Sequence, residues 1–116
     1  LPASFFELHK LTELHFDHNL LSVLSEKFSN FQNLTVLNLE HNALENIPEN
    51  IGTLKKLRRL ALSHNKLETL PESIGELENL QTLTLDGNIL KKFPESIKKL
   101  TNLKKLKLRK TGLHLK

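Results

Sequence analysis

Leucine alternates with polar residues in five short stretches of this chain, spaced 23 residues apart. The middle stretch, Leu57 to Leu67, follows the pattern LxxLxLxxNxL, with leucines at 60 and 62 on either side of one residue. Alternation of this kind predicts a strand with one buried face. The other four stretches begin at Leu11, Leu34, Leu80 and Leu103. Because one pattern returns at a fixed interval, the sequence predicts a repeat architecture.

Each 23-residue repeat is here called a coil, and the residues after the strand-like stretch keep the same register from one coil to the next. An asparagine follows the strand-like positions in four copies, and Thr111 takes its place in the fifth. Apolar positions recur after it, as far as Leu113, and proline occurs at 48, 71 and 94. Residues 1–10 match only the second half of a coil, and the chain lacks an initiator methionine. We therefore interpret residues 1–116 as one domain with a partial coil at 1–10, and as a fragment of a longer chain.

The unit LxxLxLxxNxLxxLPxxIGxLxx resembles the 23-residue class of leucine-rich repeats, which occurs in plant intracellular Ras-group proteins and in many bacterial proteins. Two coils match that class fully, with Pro48 and Gly52 in one and Pro71 and Gly75 in the next. Other coils depart from it, with serine at positions 25 and 29 and lysine at position 98. The resemblance extends over the entire chain.

The resemblance implies an α/β fold: a right-handed solenoid with a parallel β-sheet on the concave face and short helices or 3₁₀ turns on the convex face. Parallel strands stack about 4.8 Å apart, so five of them form a ladder about 20 Å long. We expect each asparagine to bond both to its own coil and to the neighbouring coil, in a buried polar ladder. We expect Gly52 and Gly75 to relieve crowding between adjacent convex segments.

Composition and charge narrow the function classes. The chain has no cysteine, which excludes disulfides, thiolate zinc sites and a cysteine nucleophile. It has no apolar run near the roughly 18 residues of a membrane-spanning helix. The net charge of +4 is unevenly distributed, because residues 1–46 carry two bases against six acids whereas residues 94–116 carry eight bases against Glu95 alone.

The variable positions around the predicted strands are the candidate binding surface. In this class of solenoid they lie on the concave face, and each coil contributes one row to it. Arg58 and Arg59 occupy the centre, where arginine commonly carries binding energy, although charged residues are also ordinary on an exposed strand. We predict a protein partner that contacts Thr12, His15, Asp17, Asn38, Glu40, Arg58, Arg59, Ala61, Ser63, Thr84, Lys105, Lys107 and Arg109.

A histidine column is the second candidate. His18, His41 and His64 lie one repeat apart, so their imidazoles should stack on neighbouring coils, with Asp17 and Glu40 beside two of them. Imidazole and carboxylate are zinc ligands, and the five side chains are a candidate metal site. The alternative is that histidine is simply copied with the turn before each asparagine. We expect no required cofactor, with zinc as the one candidate.

The basic last coil is the third candidate. Lysine or arginine fills every variable position between Lys104 and Lys110. An acidic ligand is one explanation, and protection of an open sheet edge by lysine is the other. The patch lacks interleaved aromatics and any nucleic-acid-binding motif, so we expect no specific nucleic-acid partner.

No catalytic motif stands out in the sequence, and we expect a protein-binding module without catalysis. The alternative function is a metal-associated or self-associating structural protein that uses the histidine column or the solenoid ends. Cytoplasmic and bacterial secreted or cell-surface locations both stay open.

Overall fold

Five three-residue strands form one parallel sheet in which the strand order follows the chain order. The computed structural model describes residues 2–112, so the predicted apolar positions Leu1 and Leu113 lie outside the described residues. The strands are β1 (Glu13–His15), β2 (Val36–Asn38), β3 (Arg59–Ala61), β4 (Thr82–Thr84) and β5 (Lys105–Lys107). A short 3₁₀ helix precedes each strand: η1 (Ala3–Glu7), η2 (Glu26–Asn30), η3 (Glu49–Thr53), η4 (Glu72–Glu76) and η5 (Glu95–Lys99). This architecture confirms the predicted solenoid with a parallel sheet and 3₁₀ turns.

The register of the sheet is the repeat interval itself. Leu14 pairs with Leu37, Leu37 with Leu60, and so on to Leu106 in β5. Leu37, Leu60 and Leu83 are completely buried. One leucine from each coil therefore stacks into a continuous core, which a single repeat could not form alone.

Proline directly precedes four of the 3₁₀ helices, η1, η3, η4 and η5. Pro48 and Pro71 are N-cap residues, and the Pro48 carbonyl accepts the Ile51 amide at 3.1 Å. A proline before the first turn fixes the extended conformation there. Ser25 replaces proline in the second coil and caps differently, since its hydroxyl accepts the Lys27 amide at 3.1 Å. Proline and serine therefore both serve as the N-cap residue of a 3₁₀ helix.

The predicted asparagine ladder is confirmed. The Asn65 carbonyl oxygen accepts the Leu44 amide of the preceding coil at 3.0 Å, and its amide group donates at 3.0 Å to the carbonyls of Leu39 and Leu62. Asn42 and Asn88 make the equivalent bonds. Asn65 and Asn88 are buried and Asn42 is half-buried, and each of the three ties two coils together.

Two further ladders, which the sequence did not suggest to us, connect the 3₁₀ segments. The hydroxyl groups of Ser73 and Ser96 donate to the carbonyls of Glu49 and Glu72, at 2.5 and 2.6 Å. Side-chain amides form a second row. Asn33 donates to the carbonyl of His9, Asn79 to that of Lys55 and Asn102 to that of Glu78. Both rows bond backward by 24 residues. The serines draw consecutive 3₁₀ helices together, and the asparagines tie together the loops that follow those helices.

The expected role of Gly52 and Gly75 is also confirmed. A Cβ at Gly75 would lie 2.6 Å from both the carbonyl oxygen and the Cβ of Ser96. A Cβ at Gly52 would lie 2.7 Å from the Ser73 carbonyl oxygen. The serine ladder and the glycines therefore form one arrangement, because the close approach that lets serine bond leaves no room for a side chain.

The N-terminal partial coil closes the core with aromatic rings. Phe6 is 6% exposed and packs edge to face on Phe28, with ring centroids 5.4 Å apart. Phe5 is half-buried and lies 5.3 Å from Phe31 by the same measure. The phenylalanines cap the first full coil. Across the described residues, no helix is long and apolar enough to cross a membrane.

Candidate functional site

The open side of the sheet, here called the strand face, carries the variable side chains in two straight rows. The first row crosses all five strands and contains Glu13, Val36, Arg59, Thr82 and Lys105. The second row contains His15, Asn38, Ala61, Thr84 and Lys107. Successive residues of a strand point to opposite faces, so the residues on either side of each strand leucine share the strand face.

A shallow depression of about 240 Å³ lies on the strand face. Seven of the predicted partner-binding residues line it, together with Val36, which we did not predict although it shares a row with Arg59. The seven are His15, Asn38, Glu40, Arg59, Ala61, Thr84 and Lys107. The structure therefore brings predicted residues from all five coils to one place.

A hydrogen bond between nonadjacent coils shapes this depression. The Thr84 hydroxyl donates to Glu40 Oε2 at 2.9 Å, 44 residues away in sequence. Ala61 lies between these coils and pairs in register with Thr84. Ala61 is 6% exposed and Thr84 8%, so the two small side chains form a floor that Glu40 crosses.

The arginines and lysines of the strand face are exposed and lack acidic partners. Arg58, Arg59, Lys105, Lys107 and Arg109 are all exposed. Within residues 2–112, none of the five takes part in an ion pair. The ion pairs that lysine does make lie elsewhere, and they join Lys55 to Glu76, Lys91 to Glu68 and Lys98 to Glu95.

The remaining predicted residues lie outside the depression. Ser63 is buried at 4% exposure, and its hydroxyl accepts the Asp86 amide at 3.1 Å. Asp86 in turn accepts the Arg109 amide through Oδ1 at 2.7 Å. Ser63 and Asp86 therefore hold the backbone that follows β4 and β5. Thr12 is exposed, and its carbonyl accepts the Thr35 amide.

The histidine column stacks as predicted. The ring centroids of His18 and His41 are 4.3 Å apart with planes 9° from parallel, and those of His41 and His64 are 4.4 Å apart at 14°. The backbone is left-handed at all three, with φ between 57° and 60°. Gly87 continues the column at φ 72°, and a Cβ there would collide with the His64 ring. The glycine in this column was the available sequence signal for the left-handed backbone.

The stacked arrangement does not assemble a metal site. Among residues 2–112, no three histidine, aspartate or glutamate side chains are grouped so that they could hold a metal ion. Parallel rings direct their in-plane nitrogen lone pairs side by side, whereas tetrahedral zinc needs ligands that converge. Asp17 Oδ2 lies 3.8 Å from His18 Nε2, and Glu40 is bonded to Thr84. Zinc binding by His18, His41, His64, Asp17 and Glu40 stays a prediction, and this geometry does not support it.

Similar solved structures share this architecture. A leucine-rich repeat protein of Leptospira interrogans is 38% identical, with a TM-score of 0.89 over 94% of this chain and 28% of its own. The ectodomain of the receptor kinase SOBIR1 from Arabidopsis thaliana is 30% identical, with a TM-score of 0.80 over 92% of this chain and 60% of its own.

A third similar structure is a plant peptide hormone receptor, RGFR1, solved in complex with RGF2. It is 30% identical, with a TM-score of 0.80 over 93% of this chain and 18% of its own. The chain thus spans less than two thirds of the length of each of these three proteins.

The sequence itself carries the family pattern along most of its length. Residues 20–115 match the family described as "Leucine-rich repeat region". None of the curated proteins matches the chain. The repeat interval, the parallel sheet and the asparagine ladder agree with the family match, and the chain belongs to the leucine-rich repeat family.

Proposed function

We propose that this chain is a protein-binding module whose partner docks on the strand face. The observation that carries the proposal is the depression on that face, where predicted contact residues from five coils meet beside unpaired cations. Repeat proteins of this kind stack their units into extended binding surfaces. A related receptor with the same architecture was solved in complex with RGF2, which supports a recognition role by analogy.

The frame behind this face favours a preformed surface. Asn42, Asn65 and Asn88 link consecutive coils on one side of the sheet. Ser73 and Ser96 link the 3₁₀ helices, and Asn79 links the loops that follow them. A surface that is already ordered loses less conformational entropy when it binds. The partner would therefore meet side chains whose backbone is fixed.

The chemistry of the depression suits polar recognition. Arg59 and Lys107 supply donors at its walls, and Asn38 and His15 add further polar groups. Arginine is among the residues that most often dominate binding energy. The proposal includes no catalytic step, because the carboxylates of Glu13 and Asp17 lie on open surface where nothing displaces water from a reacting group.

The test compares two charge reversals of equal size. The chain carrying Arg58→Glu and Arg59→Glu alters the strand face. The chain carrying Lys66→Glu and Lys92→Glu makes the same change in net charge at exposed lysines outside that face. Each is used as bait for crosslinking and quantitative mass spectrometry, after circular dichroism has shown native folding.

We expect the parent and the Lys66/Lys92 variant to capture the same proteins, and the Arg58/Arg59 variant to lose them. Equal capture by all three baits would overturn the proposal. Oligomerisation of the parent that a chelator abolishes would instead support the metal-associated, self-associating alternative.

A further inference from the structure

We propose that the docking partner presents an extended acidic segment, with its carboxylates over Arg59 and the lysines of β5. This inference rests on the proposed function and adds the chemistry and direction of the ligand. It comes from three observations on the strand face: the separation of opposite charges, the absence of internal partners for the cations, and the spacing of the strands.

Opposite charges occupy opposite halves of the strand face. The acidic half, formed by the first two coils, carries Glu13, Asp17 and Glu40 and no lysine or arginine. The basic half, formed by the last three coils, has one acid, Asp86, and otherwise the seven bases Arg58, Arg59, Lys104, Lys105, Lys107, Arg109 and Lys110. This surface is electrostatically polarised along the solenoid axis, so it favours a partner with the opposite polarity.

Neither nearby acid neutralises the cations of the basic half. Glu40 is held by the Thr84 hydroxyl at 2.9 Å, and Asp86 accepts the Arg109 backbone amide at 2.7 Å. Within the described residues, no ion pair involves Arg59 or Lys107. Unpaired guanidinium and ammonium groups keep their donors available for carboxylates, which arginine can bind through two parallel hydrogen bonds.

The spacing of the basic half matches an extended peptide. Arg59 and Lys105 stand in one row with Thr82 between them, so they lie two strands apart, about 10 Å. Three residues of extended chain also span about 10 Å. In the polyproline II conformation, which has three residues per turn and rises about 3.1 Å per residue, acidic residues at positions i and i+3 lie on the same side about 9 Å apart. A segment that crosses the strands in this conformation would place one carboxylate at each cation.

The floor of the depression separates the cations from the acidic half. Ala61 and Thr84 are small and buried, whereas Arg59 and Lys107 rise beside them. The Glu40 carboxylate crosses this floor to reach the Thr84 hydroxyl and repels a second carboxylate placed on the floor, so the carboxylates of the segment lie beside it, over Arg59 and the lysines of β5. The acidic end of the partner therefore points toward β5 and the less acidic end toward β1.

Nucleic acid and lipid surfaces fit these features less well. The chain has no tryptophan or tyrosine, and His15 is the one aromatic side chain among the described residues that line the depression, so successive bases have no row of rings on which to stack there. A membrane would contact the exposed lysines of the last coil and would not require Arg59, which lies two strands away.

The test measures binding of a fluorescein-labelled peptide of repeated Pro-Pro-Glu, which holds glutamate at every third position of an extended polyproline II chain, by fluorescence anisotropy at low salt. We expect saturable binding to the parent chain and a loss of about tenfold or more for Arg59→Glu with Lys107→Glu. The Lys66→Glu and Lys92→Glu variant has the same net charge, and we expect it to bind within about threefold of the parent. Equal losses in both variants would overturn the site, since they would show that net charge alone drives binding.

Two other probes decide the class of ligand. Oligouridine RNA and vesicles containing phosphatidylserine are titrated into the same three proteins. Tighter binding of either probe than of the peptide, with the same dependence on Arg59 and Lys107, would overturn the acidic-peptide assignment. A parent chain that binds no acidic peptide but still loses its captured proteins in the Arg58/Arg59 variant would refute this inference and leave the proposed function standing.

Discussion

Glu40 and Thr84 are hydrogen-bonded across a coil to which neither belongs. The Thr84 hydroxyl donates to Glu40 Oε2 at 2.9 Å, and Ala61 of the intervening coil lies between their strands. The contact depends on a small residue at position 61, because a larger side chain there would occupy the path of the glutamate. The floor of the candidate site is thus set jointly by three consecutive coils.

This bond should appear as coupling in a double-mutant cycle. We expect Glu40→Ala and Thr84→Val to be nonadditive by about 1 kcal/mol in the free energy of unfolding, the usual net value of such a bond. Thr82→Val is the matched control, since Thr82 lies on the same strand without that bond. Its effect should add to that of Glu40→Ala within about 0.5 kcal/mol. Urea unfolding of the single and double variants measures both cycles, and equal coupling would contradict the assignment.

The asparagine ladder predicts a difference between buried and terminal positions. We expect Asn65→Ala to cost about 1–3 kcal/mol, because it leaves buried backbone groups of two coils without their partner. Asn19 is exposed and bonds only to carbonyls of its own coil, at Phe16 and Asp17. We expect Asn19→Ala to cost less than about 1 kcal/mol. Denaturant midpoints compare the two, and similar losses would mean that the contact between coils contributes little.

Gly75 and Gly112 distinguish two reasons for glycine, which are crowding by a neighbouring coil and a left-handed backbone. We expect Gly75→Ala to cost about 3 kcal/mol, since its Cβ would lie 2.6 Å from the Ser96 carbonyl oxygen. Gly112 has φ 80°, and among residues 2–112 nothing lies within 4 Å of an added Cβ, so Gly112→Ala should cost only the left-handed conformation, about 1 kcal/mol. Thermal and urea unfolding measure both variants. A larger loss at Gly112 would show that conformation, not crowding, limits these positions.

The stacked histidines predict a null result with zinc. Binding at about 100 times the dissociation constant would stabilise the chain by about 2.7 kcal/mol. Because the ring planes are nearly parallel, we expect the parent and the His41→Ala, His64→Ala variant to show the same melting temperature with and without zinc. An upward shift in the parent alone would restore the metal site.

The sequence was sufficient to predict the solenoid and its asparagine ladder, because the residues that form them recur at a fixed interval. Leu60 and Asn65 recur at one interval, so their pairing follows once the coils stack. Glu40 was predicted to face a partner, yet its bond to Thr84 depends on the length and torsion angles of one side chain, which no repeat pattern encodes. The left-handed backbone of the histidine column was also not predicted, because histidine adopts that conformation less often than glycine does. Gly87, in the same column, was the one residue whose type indicated it.

The Glu40–Thr84 bond also bears on how the solenoid would come apart under load. Strands and 3₁₀ helices contact only their immediate neighbours along the described chain, so a force applied at one end would peel the coils away one at a time. Glu40 instead ties the second coil to the fourth. The second, third and fourth coils should therefore unfold as one unit, at a higher force than the terminal coils, and the depression on the strand face would stay intact after the terminal coils have unfolded.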